Sequence, residues 1–323
     1  MSHHRKFYSV LSVLLIVCLC LSGCGASQQE AAQNDPAPSG DGYTFTDALG
    51  QEIIVNNPQR VVSLMGSFSE IWVLAGGYDT LVGTSSDTVD NRDLGLPKDI
   101  AVVGTYQNPN IEEILALEPD LVLLSSETTR TDSHVALKDA LSEAGITAAY
   151  FSVTHFDDYL NMLHICSDII GNEEGYQTNG VAVQQEIEQI IADNKLETEP
   201  SILLLITYSG GIRAQSSDSM TGKMLADLGC HNILDDNPSL LKDFSVENII
   251  EADPDYIFVI PMGNDDALAE KNLKETVESN PAWSSLTAVV NDRYILLPKD
   301  KFLYKPNARW AESYAYLADL LHE

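Results

Sequence analysis

Two carboxylates and a late run of cations stand out among the residues able to do chemistry. Glu112 lies in Ile111-Glu112-Glu113-Ile114, and Pro119-Asp120 begins seven residues after it. Glu247 lies in Val246-Glu247-Asn248-Ile249, with Pro254-Asp255 at the same distance. Glu, Pro and Asp thus recur with one offset, which selects Glu112 rather than Glu113 as the counterpart of Glu247. A carboxylate at a helix start is also stabilised by the backbone dipole, so the position has a purely structural reading too. Lys299, Lys301, Lys305 and Arg309 crowd together in a chain that holds 18 Lys and Arg against 48 Asp and Glu. With Arg213 brought beside them by folding, they would suit an anionic group on a ligand. Singly, such lysines also serve as surface residues with buried stems. Other chemistry has little support. His134, His155, His164, His231 and His322 are scattered, without the spacing of metal ligands. Gly210-Gly211 is no dinucleotide fingerprint, and neither a P-loop nor a Gly-x-Ser-x-Gly elbow is present. Cys166 and Cys230 sit in apolar helical patterns and read as buried thiols, with a disulfide between them left open.

The elements that must position these residues begin with a leader. Residues 7–21 form an apolar run after Arg5-Lys6 and end in Leu21-Ser22-Gly23-Cys24. This is the layout of a secretory signal over residues 1–23, and it falls short of the roughly 20 apolar residues of a membrane span. Residues 25–42 are small, polar and turn-rich, as a flexible tether is. Without Arg5 and Lys6 the 18 basic residues fall to 16, so against 48 acids the net charge is −32. Nucleic-acid binding needs a basic footprint and is excluded on that ground. From Tyr43 onward, continuous apolar runs at 61–64, 121–124, 202–206, 256–260 and 294–297 read as buried strands. Helical patterns near 68–75, 132–144, 220–228 and 307–321 alternate with them. This predicts an α/β fold with mainly parallel central sheets. Residues 155–194 carry almost no strand signal. They read as two helices, 155–170 and 173–194, broken at Gly171-Asn172, the second serving as a rigid strut.

The two halves echo one another. Besides the Glu, Pro and Asp repeat, Ala75-Gly76-Gly77 matches Leu228-Gly229-Cys230, each ending a helix after a strand. The larger offset of this second echo requires insertions in the later half. The expected organisation is an N-terminal lobe at 43–154, a helical linker at 155–198 and a C-terminal lobe at 199–323. A ligand cleft lies between the lobes, where small-molecule sites concentrate.

Leu21-Ser22-Gly23-Cys24 resembles the lipobox of bacterial lipoproteins. That implies removal of residues 1–23, acylation of Cys24 and a lipid anchor on the extracytoplasmic face of the cell membrane. A single acyl chain holds only marginally, so two or three are implied. The remainder resembles the substrate-binding lipoproteins of ABC importers, in the helix-linked family that serves ferric siderophores, haem and cobalamin. The resemblance rests on Asp47-Ala48-Leu49-Gly50 with Arg60-Val61-Val62-Ser63-Leu64, and on Val103-Gly104 with Pro109-Asn110-Ile111-Glu112-Glu113-Ile114. It also rests on Leu117-Glu118-Pro119-Asp120-Leu121-Val122 and Lys305-Pro306-Asn307-Ala308-Arg309-Trp310.

The resemblance implies two lobes joined by one long helix, with limited closure because a helix bends less readily than a loop. It implies that Glu112 and Glu247 dock on Arg residues of a permease, whose partner ATPase supplies the energy. It makes Tyr106 the foremost ligand contact. Loops at the carboxyl ends of strands add Met65, Phe68, Tyr208, Arg213, Lys301, Tyr304 and Lys305. No resident cofactor, bound metal, nucleic acid or catalysis is expected, and the chain is expected to be a monomer. The cargo is a small-molecule metal chelate, a ferric siderophore in the first reading and cobalamin or haem in the alternatives. A lipid-anchored hydrolase is the rival of another class.

Overall fold

A computed structural model of the chain describes residues 42–236, 246–263, 271 and 273–323. Cys24, the signal and nearly all of the tether lie outside the described residues. The described chain opens on a hairpin absent from the sequence reading, β1 (Tyr43–Thr46) and β2 (Glu52–Val55). Its turn is built by the buried Asp47, whose carboxylate accepts the backbone N–H groups of Leu49 and Gln51, each at 2.9 Å. The motif Asp47-Ala48-Leu49-Gly50 is therefore a turn with its own acceptor.

The first lobe runs β3 (Val61–Ser63), α1 (Gly66–Leu74), β4 (Leu81–Thr84), α2 (Ser86–Asn91) and β5 (Ala101–Val102). A short hairpin of β6 (Gly104–Thr105) and β7 (Asn108–Pro109) follows, then α3 (Ile111–Ala116), β8 (Leu121–Ser125), α4 (Thr128–Ala136), α5 (Lys138–Glu143) and β9 (Thr147–Phe151). The sheet order is β5-β4-β3-β8-β9, parallel throughout. The single helix expected near 132–144 is two helices meeting at Leu137.

The linker is α6 (Phe156–Ile170), α7 (Glu173–Tyr176), a π-helical turn at Gln177–Val181 and α8 (Ala182–Asp193). The break at Gly171-Asn172 falls where expected, and the Asn172 amide donates to the carbonyl of Ala75 at 2.9 Å. The π turn sits where the linker folds against α6. A Cβ on Gly180 would lie 2.8 Å from a Leu160 methyl, so the absence of a side chain there lets the two helical segments approach without shifting Leu160.

The second lobe runs β10 (Ser201–Tyr208), β11 (Gly211–Gln215), α9 (Met220–Asp227), β12 (His231–Asn232), α10 (Ile233–Asp236), α11 (Val246–Ala252) and β13 (Tyr256–Pro261). It ends with α12 (Thr287–Val290), β14 (Tyr294–Leu296), α13 (Lys299–Phe302) and α14 (Trp310–His322). Strands β12, β13 and β14 are parallel to their neighbours, whereas β11 returns antiparallel along β10. Strand β11 occupies the edge of β10 that β12 leaves open, and it is an insertion between the first strand and first helix of this lobe.

The continuous apolar strands divide their side chains between two faces. In β10, Ile202, Leu204 and Ile206 enter one core cluster, while Leu203 and Leu205 enter another. In β3 and β8, Val61, Leu121 and Leu123 join that same first cluster, and Val62, Val122 and Leu124 join a third. The first cluster therefore extends from one sheet to the other. Tyr159, Met162, Leu163, Cys166 and Ile169 of α6 bridge it, with Val183 and Ile187 of α8 and Leu317 of α14. Burying each such aliphatic side chain contributes about 1.5–3 kcal/mol. Cys166 and Cys230 are both free thiols in this cluster, and burial pushes both up, Cys230 to about 12. Among the described residues no helix is long and apolar enough to cross a membrane.

The repeat is structural. Glu118 and Asp253 each precede the Pro-Asp pair in the left-handed region, with φ of 46° and 41°. The following aspartate caps the first strand of its own lobe. Asp120 accepts the N–H groups of Gln59 and Arg60 at 2.8 and 3.1 Å. Asp255 accepts the N–H and hydroxyl of Ser201 at 2.8 and 2.9 Å. Asp255→Ala would leave Ser201 N–H without this acceptor, a loss of about 1–3 kcal/mol. A lowered urea midpoint at unchanged slope is expected, and an unmoved midpoint would rule out the capping role.

Candidate functional site

The carboxyl ends of β8 and β9 in the first lobe face those of β10 and β13 in the second across a cleft of about 410 Å³. That volume lies within the range of about 300–1,000 Å³ usual for small-molecule pockets. Glu127, Val153 and Thr154 line it from the first lobe. Leu204, Ile206 and Ile260 form its apolar floor in the second. Arg213 and Gln215 reach it from β11 while Ala214 between them is buried in the opposite core, the two-residue period of a strand. Ser219, Met220 and Thr221 line it at the start of α9, and Phe302, Leu303 and Lys305 near the chain's return segment.

That return segment ties the lobes together. Asn307, wholly buried with φ 51°, donates from its amide to the carbonyl of Ser67 at 3.0 Å and to Glu70 at 2.8 Å. Glu70 also pairs with Arg92, and Arg92 donates to the carbonyl of Lys305 at 2.9 Å. Two further links cross near the cleft, His155 Nε2 to the carbonyl of Asp218 at 2.8 Å and Lys305 Nζ to Glu127 Oε1 at 3.5 Å.

Of the residues chosen from sequence as ligand contacts, Arg213 and Lys305 line this cleft and the others do not. Phe68 is fully buried, its ring edge-on to Phe151, and is a core residue. Met65 is half-buried against the shared core, and its carbonyl accepts from the Ser69 hydroxyl. Tyr106 sits half-buried in the β6–β7 turn, Tyr208 half-buried at the end of β10, and Tyr304 half-buried after α13. The run of cations is close in sequence, but its members engage separate acceptors and do not converge on the cleft. Lys299 donates to the carbonyl of Gly263 at 2.6 Å, Lys301 pairs with Glu312 at 2.8 Å, and Arg309 faces Asp300 at 3.8 Å. Lys299 and Lys301, two apart on a helical turn, point about 200° apart, and Lys305 and Arg309 lie beyond the end of α13. Glu112 and Glu247 are exposed in the first turns of α3 and α11. Asn110 caps α3, accepting the N–H of Glu112 at 3.0 Å.

His134, set aside in sequence as one of several scattered histidines, positions the Tyr106 turn. It is fully buried: Ser125 N–H donates to its Nδ1 at 3.0 Å, and its Nε2–H donates to the Tyr106 carbonyl at 2.7 Å. This fixes the neutral tautomer protonated on Nε2. The Ser133 hydroxyl adds a bond to the carbonyl of Gln107 at 2.7 Å. The turn itself needs Gly104, where φ is 103° and a Cβ would meet the Asn108 carbonyl at 2.5 Å. Among the described residues, no group of three or more His, Cys, Asp or Glu is placed to hold a metal ion.

Two lobes of parallel sheet, a helical linker and a cleft at the strands' carboxyl ends define a bilobed binding protein. The chain belongs to the periplasmic binding protein family, whose model matches residues 61–301. It is 25% identical over 295 residues to the Fe(3+)-citrate-binding protein YfmC of Bacillus subtilis, covering 90% of this chain and 89% of that one. It is 24% identical over 327 residues to a cobalamin-binding protein of Halobacterium salinarum, covering 97% and 85%. The fold is also similar to that of S. aureus IsdE, solved with heme, with a TM-score of 0.65 at 17% identity over 82% of this chain and 99% of that one.

Two outcomes are expected. Asn307→Gly keeps the backbone angle and removes both amide bonds, so unfolding free energy should fall by about 1–3 kcal/mol. An unchanged chemical-denaturation midpoint would show that the return segment is held by other contacts. For His134, burial lowers the folded-state affinity for a proton. Its contribution to stability is complete above the unfolded value of about 6.5 and is lost as pH falls below it. Wild-type Tm should therefore drop more between pH 7 and pH 5 than that of His134→Gln, and parallel profiles would contradict the assignment.

Proposed function

We propose that this chain is the extracytoplasmic substrate-binding lipoprotein of an ABC importer, moored through Cys24, which captures a ferric chelate in its cleft and delivers it to the permease. The observation that carries the reading is a preformed cleft between the two lobes of a periplasmic binding protein, lined by cations from one lobe and a carboxylate from the other. The names of its relatives place iron citrate, cobalamin and haem among the cargoes to be considered. Binding rather than catalysis is the role proposed, with ATP hydrolysed by partner subunits and the chain acting as a monomer. Visible absorbance of the protein purified after exposure to its growth medium distinguishes the cargoes. A charge-transfer band reports a ferric chelate, a Soret band haem, and a corrin spectrum cobalamin.

Glu112 and Glu247 are proposed to dock on permease arginines. Support comes from their exposure, their place in the first turns of α3 and α11, and the common left-handed Pro-Asp exit that follows both helices. One bidentate pair per lobe would fix orientation as well as adding energy. The double substitution Glu112→Ala with Glu247→Ala should leave chelate affinity intact and abolish uptake by cells. Normal uptake by that variant would remove the docking assignment.

A further inference from the structure

Within the cleft, one carboxylate already sits on one of the cations. Glu127 Oε1 lies 3.5 Å from Lys305 Nζ, and both side chains are largely buried, at 29% and 18% exposure. Glu127 leaves β8 of the first lobe, whereas Lys305 belongs to the return segment anchored by Arg92. Arg213 lines the same cleft from β11. In a chain of net charge −30, two cations at one cleft counter a field that otherwise repels anions. The lining offers little to a flat macrocycle. Its sole aromatic residue among those described is Phe302, which is 2% exposed and presents no open ring face. It also lacks His and Cys among the described lining residues, so a metal would arrive with its coordination filled by the chelator.

We infer that the cleft is built for a compact, carboxylate-rich ferric chelate of the hydroxycarboxylate type, and that Glu127 is an internal stand-in for one guest carboxylate. The inference rests on the capture reading and narrows its cargo. Without a guest, Glu127 keeps Lys305 paired across the cleft. On binding, a guest carboxylate takes the place of Glu127 on Lys305 and another engages Arg213. A guest without anionic oxygens offers Lys305 no replacement for Glu127, so its entry would break a largely buried ion pair without compensation. The exchange thus selects for anionic chelates over corrinoids, whose periphery is made of neutral amides.

The test is a fluorescence titration of the full chain and its variants with ferric citrate, a ferric catecholate, haemin and cyanocobalamin. Ferric citrate should quench saturably. Lys305→Met and Arg213→Met should each weaken it about ten- to hundredfold, while Lys305→Arg retains binding and controls for folding. Glu127→Gln should tighten ferric citrate about two- to fivefold in the wild-type background and have no effect beside Lys305→Met. Preference for the catecholate, haemin or cyanocobalamin over ferric citrate would overturn the inference while leaving the capture reading intact. Ferric citrate binding that ignores Glu127→Gln would overturn the stand-in role. Failure of all four probes to bind would count against the capture reading itself.

Discussion

A single apolar cluster that passes from one sheet through the linker into the other is the constraint on which the rest of the structure depends. Inner-face residues of β3 and β8 join it, as do those of β10 and β13, with α6, α8 and α14 between them. Because interiors are packed at crystal-like density, lobes that share one core cannot rotate far without opening voids along the linker. The cleft follows from this. Its walls are the carboxyl ends of strands whose other residues are committed to that core, so its shape is set by folding. The return segment adds a polar clasp, since the Asn307 amide donates to Glu70, Glu70 pairs with Arg92, and Arg92 holds the carbonyl of Lys305. A buried pair of this kind is a poor source of net stability and a good source of register.

Charge acts on a second level. With 48 Asp and Glu against 18 Lys and Arg, the chain's overall field repels the anionic cargo proposed here. Placing Arg213 and Lys305 inside the cleft resolves that conflict locally, because screening weakens the surface field within about 8 Å whereas partly buried charges are screened much less. Glu127 completes the arrangement by holding Lys305 paired across the two lobes.

Much of this was legible in the sequence, for definite reasons. Runs such as Ile202-Leu203-Leu204-Leu205-Ile206 announce a strand buried on both faces, and the matched Glu, Pro and Asp spacing announces two related lobes. Strands β4 and β9 escaped notice because Leu-Val-Gly-Thr and Thr-Ala-Ala-Tyr-Phe dilute the apolar signal with glycine, alanine and hydroxyl residues. Strand β11 was hidden by the turn at Gly210-Gly211, although Ile212-Arg213-Ala214-Gln215 carries a two-residue period. The cleft was only partly readable. Arg213 and Lys305 are identifiable by charge, but closeness in sequence groups the other cations, which the fold commits to separate acceptors. Phe68 follows a strand and reads as a loop aromatic, but the helix that begins at Gly66 carries it into the core. Glu127 and Thr154 have no local signature and become cleft residues only through the order of strands in the sheet.

The shared core is tested most directly by the distance between Glu112 and Glu247 across the two lobes. In a chain without residues 1–23 and with Cys24→Ser, spin labels on Glu112→Cys and Glu247→Cys can be added without labelling Cys166 or Cys230, whose burial keeps both thiols protonated. Pulsed dipolar spectroscopy of the unloaded protein should give one narrow distance distribution. A broad or two-peaked distribution, with lobes swinging independently, would contradict the account.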